Sequence, residues 1–324
     1  MRRNLTLFVV AVALLAIDSM VNKAYAQQDP QYSMYMFNGL SVNPAYAGSR
    51  ERLAILAVYR DQWTGFKGAP RTFTAAAHSP LLNDRIGLGL AVTSDNIGVE
   101  NAVNITASFA YRLPVGKGKL KGRLCFGISA AMDYDKQRLT ESEIITPGDP
   151  AFSQNVSTVN PNFGAGVYYY NDRFYLGLSA PHFLNTSLDK NAQLDGTSSS
   201  LAHEYRHVFG SAGGMVNVSE NVKFKPSIQV KYVQASPVSV DFNASFLFKE
   251  ALWVGISYRT TYNEPTAVVG MIEYMFAKSF RLGYAYDYTL TQIGQYSSGS
   301  HEILLSYEFG KVDKYLTPRK MSYF

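Results

Sequence analysis

One stretch of the chain has residue types at a spacing that could do chemistry. His203-Glu204-Tyr205-Arg206-His207 satisfies H-E-x-x-H, in which two histidines hold zinc and the glutamate acts as general base. That chemistry needs a helix, where residues i and i+4 share a face. Here Val208 to Val216 continue with Phe, Gly, Ser and Ala and show no helical periodicity. On a strand the two histidines would stand about 13 Å apart, at roughly 3.3 Å per residue. No single ion reaches both, and no third ligand stands nearby, so the match reads as chance on a polar strand face. Gly116-Lys117-Gly118-Lys119 lacks the spacing of a phosphate cradle and reads as a basic periplasmic turn. There is no G-x-S-x-G, P-loop or C-x-x-C. Barrel enzymes can set Ser/His/Asp or Asp/His groups at a loop rim, which makes His78, His182 and His301 the remaining histidines of interest, but nothing pairs with them recognisably. No catalytic, cofactor-binding or metal-binding residue is assigned, and the chain is not expected to be an enzyme.

The elements around these residues say more than the residues do. Arg2 and Arg3, an apolar stretch from Leu7 to Ile17, and Ala24-Tyr25-Ala26 form a signal-peptide pattern over 1–26, with cleavage between Ala26 and Gln27. The apolar stretch is too short for a membrane helix, which needs about 20 residues. No cysteine follows the cleavage point, so no lipoprotein anchor is expected, and the single Cys125 allows no internal disulfide. Removing 1–26 takes away Arg2, Arg3, Lys23 and Asp18 and leaves 27 Lys+Arg against 24 Asp+Glu. That small excess, with no basic run on a helix, gives no reason to expect a nucleic-acid partner. The full chain has 23 Tyr, 19 Phe and 25 Gly but only 17% charged residues, a composition that in an exported protein fits a membrane β-barrel better than a periplasmic enzyme.

From Leu53 onward, segments of about ten residues alternate in character, as expected for strands whose side chains point to opposite faces. Val222, Phe224, Pro226, Ile228, Val230 and Tyr232 oppose Lys223, Lys225, Ser227, Gln229 and Lys231. Pro226 is the blemish, because proline is disfavoured inside a sheet. The pattern recurs over 238–248, 252–258, 268–276, 280–288 and 303–309, and more weakly over 53–60, 71–79, 86–94, 103–112, 123–133, 162–170, 173–180 and 203–216. This predicts an all-β, antiparallel transmembrane outer-membrane barrel of about 14 strands, an even number as is usual for bacterial barrels. Short turns at 171–172, 219–221, 249–250 and 277–278 alternate with long loops at 134–161, 181–202 and 288–299. That places the turns in the periplasm and the loops outside. A secreted β-sandwich would not need strands oily along one full face with aromatic residues near their ends, the arrangement of a lipid band with interfacial girdles.

The barrel occupies 51–310, preceded by an N-terminal segment, 27–50, without strand pattern and followed by a basic periplasmic tail, 311–324. Inward positions of the C-terminal half carry both signs: Lys223, Lys225, Lys231, Asp241, Arg259, Glu273, Arg281, Asp287, Glu302 and Glu308. Mixed signs across neighbouring strands favour an ion-paired interior over a one-sign selectivity filter. Inward positions of the other half are small: Gly87, Gly89, Ala91, Cys125, Gly127, Ser129, Gly164 and Gly166. Two readings stand side by side: the small residues leave room for 27–50 as a plug, or the glycines relieve barrel curvature.

Two blocks carry a family resemblance. The first is Gln28-Asp29-Pro30-Gln31-Tyr32-Ser33 with Met36-Phe37-Asn38, then Asn43-Pro44-Ala45-Tyr46-Ala47-Gly48 and Tyr59-Arg60-Asp61-Gln62-Trp63-Thr64-Gly65-Phe66-Lys67-Gly68-Ala69-Pro70. The second is Leu282-Gly283-Tyr284-Ala285-Tyr286-Asp287 with Gly299-Ser300-His301-Glu302-Ile303. Together they resemble the PorP/SprF family of type IX secretion membrane proteins. The blocks lie at opposite ends of the exported chain, so the resemblance spans it. Asn43-Pro44 is extended-then-turn chemistry, and Gly48 supplies a turn before the first strand. Trp63, Phe66 and Pro70 lie on the first outer loop, either as a rigid apolar tip for a partner or folded back over the barrel mouth.

The resemblance implies a Bacteroidota outer-membrane accessory barrel, working with secretion or gliding subunits and exported adhesin-like substrates, without cofactor. A tail contact with periplasmic subunits is a further expectation. Besides outer-membrane lipid, the partners expected are therefore proteins. The rival reading is a transport channel for small apolar molecules, of the fatty-acid-channel type; the mixed-charge lumen speaks against it.

Overall fold

The structure is a computed structural model that describes residues 30–82, 84–118, 121–141, 154–184, 186–187, 203–204, 206–234, 236–262, 264–276 and 279–309. The signal-peptide pattern with Ala26 and Gln27, and the basic tail 311–324, lie outside the described residues.

Alternating faces force these segments into strands, and the lack of water in a bilayer forces the strands to close on themselves. They run β1 (Ala54–Asp61), β2 (Arg71–Leu81), β3 (Ile86–Ile97), β4 (Glu100–Val115), β5 (Gly122–Gln137), β6 (Val156–Asn171) and β7 (Phe174–Ala180). The second half continues with β8 (His207–Gly214), β9 (Val222–Val233), β10 (Ser239–Phe248), β11 (Leu252–Thr261), β12 (Pro265–Phe276), β13 (Phe280–Thr289) and β14 (Ser300–Glu308). Each strand pairs antiparallel with its sequence neighbours, and β1 pairs with β14 to close a 14-stranded barrel. No helix of the described residues is long and apolar enough to cross a membrane; the strands do so. Outward side chains such as Ile128, Leu178 and Ile256 are 57–62% exposed, which is the lipid-facing band.

Several boundaries differ from the sequence expectation. The weak strands are longer: β5 and β6 pair as far as Gln137 with Val156, so the loop expected at 134–161 shortens to 138–155. Their added outer ends carry Asp135 and Asn160 on the inward face, and this polarity hides them from a hydrophobicity pattern. The strand expected at 203–216 divides. His203–Glu204 pairs with Thr186–Ser187 in a separate small ladder, and β8 begins at His207, where its pairing with β9 starts, while its pairing with β7 begins only at Phe209. The alternation of loop lengths is also incomplete, since the long-loop side carries tight connections at 98–99 and 262–264. Pro226 does lie within β9, opposite the interruption between Gly213↔Ser227 and Val216↔Phe224 in the ladder to the preceding strand. A residue without an N–H is tolerated where a ladder bond is missing.

Candidate functional site

The interior is built around residues 30–50. Three short 3-10 turns, Tyr35–Phe37, Gly39–Ser41 and Pro44–Tyr46, carry the chain down the barrel without a long helix or strand. Asn43 is extended, and its side-chain oxygen accepts from the Ala45 N–H at 2.9 Å, capping the turn that Pro44 starts. The Asn43 amide then donates to the Val167 carbonyl on β6 at 3.1 Å, tying the cap to the wall. The segment enters beside Asp287 and Glu302, at the long-loop end, and leaves beside Glu308, at the short-turn end.

At the long-loop end, four charged side chains contact Ser33, and a fifth, Asp241, joins them through Arg259. Arg60 of β1 donates to Asp287 at 2.9 Å, to Glu302 at 3.1 Å and to the Ser33 hydroxyl at 2.7 Å. Arg259 of β11 bridges Asp241 at 2.7 Å and Asp287 at 3.0 Å. Two guanidinium groups therefore face three carboxylates, all buried. The third carboxylate is stabilised by backbone: Ser33 and Met34 N–H groups donate to Glu302 at 2.7 and 2.8 Å. The Ser33 hydroxyl contacts both oxygens of Asp287, at 2.6 and 2.8 Å. Tyr32 holds Thr74 at 2.7 Å.

Below this layer an apolar cluster lies among buried polar groups such as Asn243, Ser245 and Ser257. Met34, Tyr35 and Phe37 pack with Val58, Leu247, Trp253, Val269, Met271 and Leu304. Lys225 sits in this region, 5.5 Å from the Trp253 ring and 5.7 Å from those of Phe37 and Tyr175. The inward-facing apolar residues were not singled out from the sequence, although parity exposes them: Trp253 alternates with the outward Leu252 and Val254. At the short-turn end Arg281 lies 3.1 Å from Glu308 and 3.5 Å from Glu273, with Arg50 3.8 Å from Glu308. Lys223 pairs with Glu250 at 2.5 Å near a short turn, and Lys231 is half-buried near the far end of β9.

The small residues of the other half lie where the inner segment passes. A Cβ on Gly87 would stand 2.0 Å from the Ala47 carbonyl oxygen, and one on Gly127 would stand 2.1 Å from the Ala45 nitrogen. On Gly166 it would meet the Asn43 side chain at 2.2 Å, and on Gly89 the Leu40 side chain at 2.9 Å. Gly164 differs, since its neighbour is the Pro181 carbonyl at 2.1 Å. Gly48 turns at φ +74°, and its N–H donates to His78 Nδ1 at 3.0 Å, with the His78 ring against Tyr46.

The first long loop is held by neighbours. The Trp63 N–H donates to the Ser300 hydroxyl at 3.1 Å, Thr64 donates to the Gly299 carbonyl at 2.8 Å, and Gly98 donates to the Gly68 carbonyl at 2.9 Å. Trp63, at φ +50°, is half-buried with Pro70, whereas Phe66 is 44% exposed. Gly65 and Gly68 take positive φ in the same loop.

The histidine pattern is not on a helix. The backbone at His203–Glu204 is strand, and His207 is buried on β8 with its ring stacked on Phe209. Among the described residues, no group of three His, Cys, Asp or Glu could hold a metal ion. His301 meets the Tyr284 hydroxyl at 2.7 Å, His182 is half-buried, and Cys125 is buried. Gly116 and Gly118 take left-handed φ in the turn between β4 and β5; Lys119 lies outside the described residues.

Several solved barrels resemble this one in outline. The chain is 12% identical to CymD, a monoaromatic hydrocarbon channel, covering 85% of this chain and 93% of that one at a TM-score of 0.48. It is 9% identical to Omp33 of Acinetobacter baumannii (81% and 100% covered, TM-score 0.46) and 13% identical to a FadL homologue of Pseudomonas aeruginosa (89% and 96%, TM-score 0.45). No curated protein sequence matches the chain. The family model for type IX secretion system membrane proteins PorP/SprF matches residues 24–307. With a closed barrel and an apolar outer band, that match places the protein in the outer membrane, and the chain belongs to the PorP/SprF family of type IX secretion system membrane proteins.

Proposed function

We propose that this protein is a non-catalytic accessory barrel of the type IX secretion and gliding machinery, which binds exported substrate or secretion subunits. The observation that carries this reading is the seated inner segment: residues from Ser33 to Arg50 run through the barrel and are bonded to its wall at both ends. A barrel occupied in this way is suited to holding partners at its loops rather than passing a polypeptide through its centre. On this reading the N-terminal segment is a plug, Trp63, Phe66 and Pro70 belong to a partner surface, and the tail contacts periplasmic subunits.

The test is capture of the tagged full-length barrel from native outer membranes, with mass spectrometry of the proteins retained. Secretion subunits or a large exported adhesin support the reading; a barrel carrying only co-purified fatty acid overturns it in favour of small-molecule transport. Truncation after Gly310 that leaves capture and secretion intact removes the tail from the proposal. Single-channel conductance that stays low after deletion of 27–50 removes the plug.

A further inference from the structure

We propose that the long-loop end of the barrel contains a slot for a linear aliphatic ammonium ligand. A cavity of about 130 Å³ separates the inner segment from the inward faces of β3, β4 and β5. Its apolar side is formed by Leu40, Val42, Pro44 and Ala91. Its outer part carries Asp95, Glu100, Asp133 and Asp135.

These carboxylates differ from those across the barrel. Asp241, Asp287 and Glu302 each touch a guanidinium. Asp95 instead accepts the Thr72 hydroxyl at 2.6 Å, and Asp133 is met by the Asn104 amide. Among the described residues no lysine or arginine forms an ion pair with Asp95 or Asp135. Asp95 and Asp135 thus lie apart from the ion-paired layer on the other side of the barrel.

A second observation lies deeper in the same cavity. Ser129, also on its wall, is 7% exposed, and its hydroxyl has no hydrogen-bond partner. A buried hydroxyl in that state is able to bond a polar group brought in from outside. Ser129 and Asp133 share the inward face of β5, four residues and so about 13 Å apart. The slot is therefore long, with an acidic outer end, an apolar flank and a polar inner end.

The acidic groups are too dispersed for a bare ion, since no three of them could hold a metal. An organic ammonium needs only charge-assisted hydrogen bonds at its head and apolar contact along its stem. A lysine side chain on an extended polypeptide and a free alkylamine share that chemistry. The polypeptide source rests on the function proposed above; the slot itself does not.

Titration calorimetry on the detergent-solubilised full chain tests this with pentylamine, a hexapeptide containing one lysine, and the same peptide acetylated at that lysine. Saturable binding of an ammonium probe is expected. Neutralising the carboxylates in Asp95→Asn/Asp135→Asn should weaken it at least about tenfold, the equivalent of one charge-assisted hydrogen bond. Ser129→Ala should weaken it less, and Glu264→Gln, at an exposed site, should leave it unchanged. Binding of the peptide but not pentylamine assigns the slot to a polypeptide; binding of both assigns it to the amine alone. No saturable binding to the wild type, or equal binding of the acetylated peptide, overturns the proposal. So does undiminished binding by an Asp95→Asn/Asp135→Asn barrel that keeps its heat-modifiable migration. Amine binding without any captured secretion partner supports the slot while sinking the secretion reading.

Discussion

Arg60 and Glu302 are cross-strand partners on the pair of strands that closes the barrel, and their side chains meet at 3.1 Å inside it. They come from opposite ends of the barrel sequence, so the first and last strands are joined by an ion pair as well as a ladder. Both groups also touch Ser33, so closure of the wall and seating of the inner segment share one set of contacts. Replacing Arg60 by Met leaves Arg259 alone against three buried carboxylates. Removing one partner of a buried pair costs about 3–5 kcal/mol. Arg60→Lys should fall between the two, because an ammonium lacks the planar fork that reaches Asp287 and Glu302 together. Urea unfolding of the barrel in lipid vesicles checks the order wild type, R60K, R60M; an R60M midpoint equal to wild type overturns it.

The glycines opposite the segment make a second prediction. Gly127→Ala would place a methyl group 2.1 Å from the Ala45 nitrogen, and both neighbours are backbone, so neither can swing away. Overpacking of this kind costs about 1–3 kcal/mol. Gly270→Ala is the control, because nothing lies within 4 Å of its Cβ position. Limited proteolysis should release fragments cut within 30–50 from G127A and not from G270A. Equal protection of the two would mean that the close approach at Gly127 does not hold the segment.

Strand parity made the barrel legible in the sequence, and it made the charged inward face of β9 to β14 legible too. Parity says which face a residue takes, not what it meets there. Ser33 carries no periodic signal, and its role appears only when Asp287 and Glu302 are brought beside it by the closure of β14 on β1. The same holds for Gly127: a small inward residue is equally consistent with curvature and with a neighbour, and only the path of Ala45 decides between them. The polar strand end from Tyr134 to Gln137 was missed for a different reason. Its inward neighbours are the cavity and other polar groups, so the hydrophobic alternation that marks a strand is weakest there.

Phe37 packs edge-on against Trp253, with ring centroids 5.9 Å apart, which gives the inner segment an optical reporter. The chain has 2 tryptophans, so Trp63→Phe leaves Trp253 alone. In that background Phe37→Ala should red-shift the emission, as water enters the space the ring vacates, and should cost about 3–5 kcal/mol as a large-to-small core change. An emission maximum and an unfolding midpoint both unchanged would show that the segment is not packed on Trp253 in the membrane.

Phe66 tests the partner surface separately from the fold. Its side chain is 44% exposed at the tip of a loop whose backbone is already fixed by Ser300, Gly299 and Gly98. Substitution there should therefore change stability by no more than about 0.5 kcal/mol. A fixed loop also loses little entropy on docking, and an exposed aromatic ring on such a loop is the kind of anchor that dominates protein interfaces. Phe66→Asp should keep the wild-type unfolding midpoint and lose most of the secretion subunits or exported substrate recovered by capture from native membranes. Trp63→Ala should act in the same direction, since the bond to Ser300 is made by its backbone and survives the change. If F66D captures the same proteins in the same amounts as wild type, the first loop serves only to cover the barrel mouth, and partner contact must be sought at the acidic slot or on the other long-loop connections.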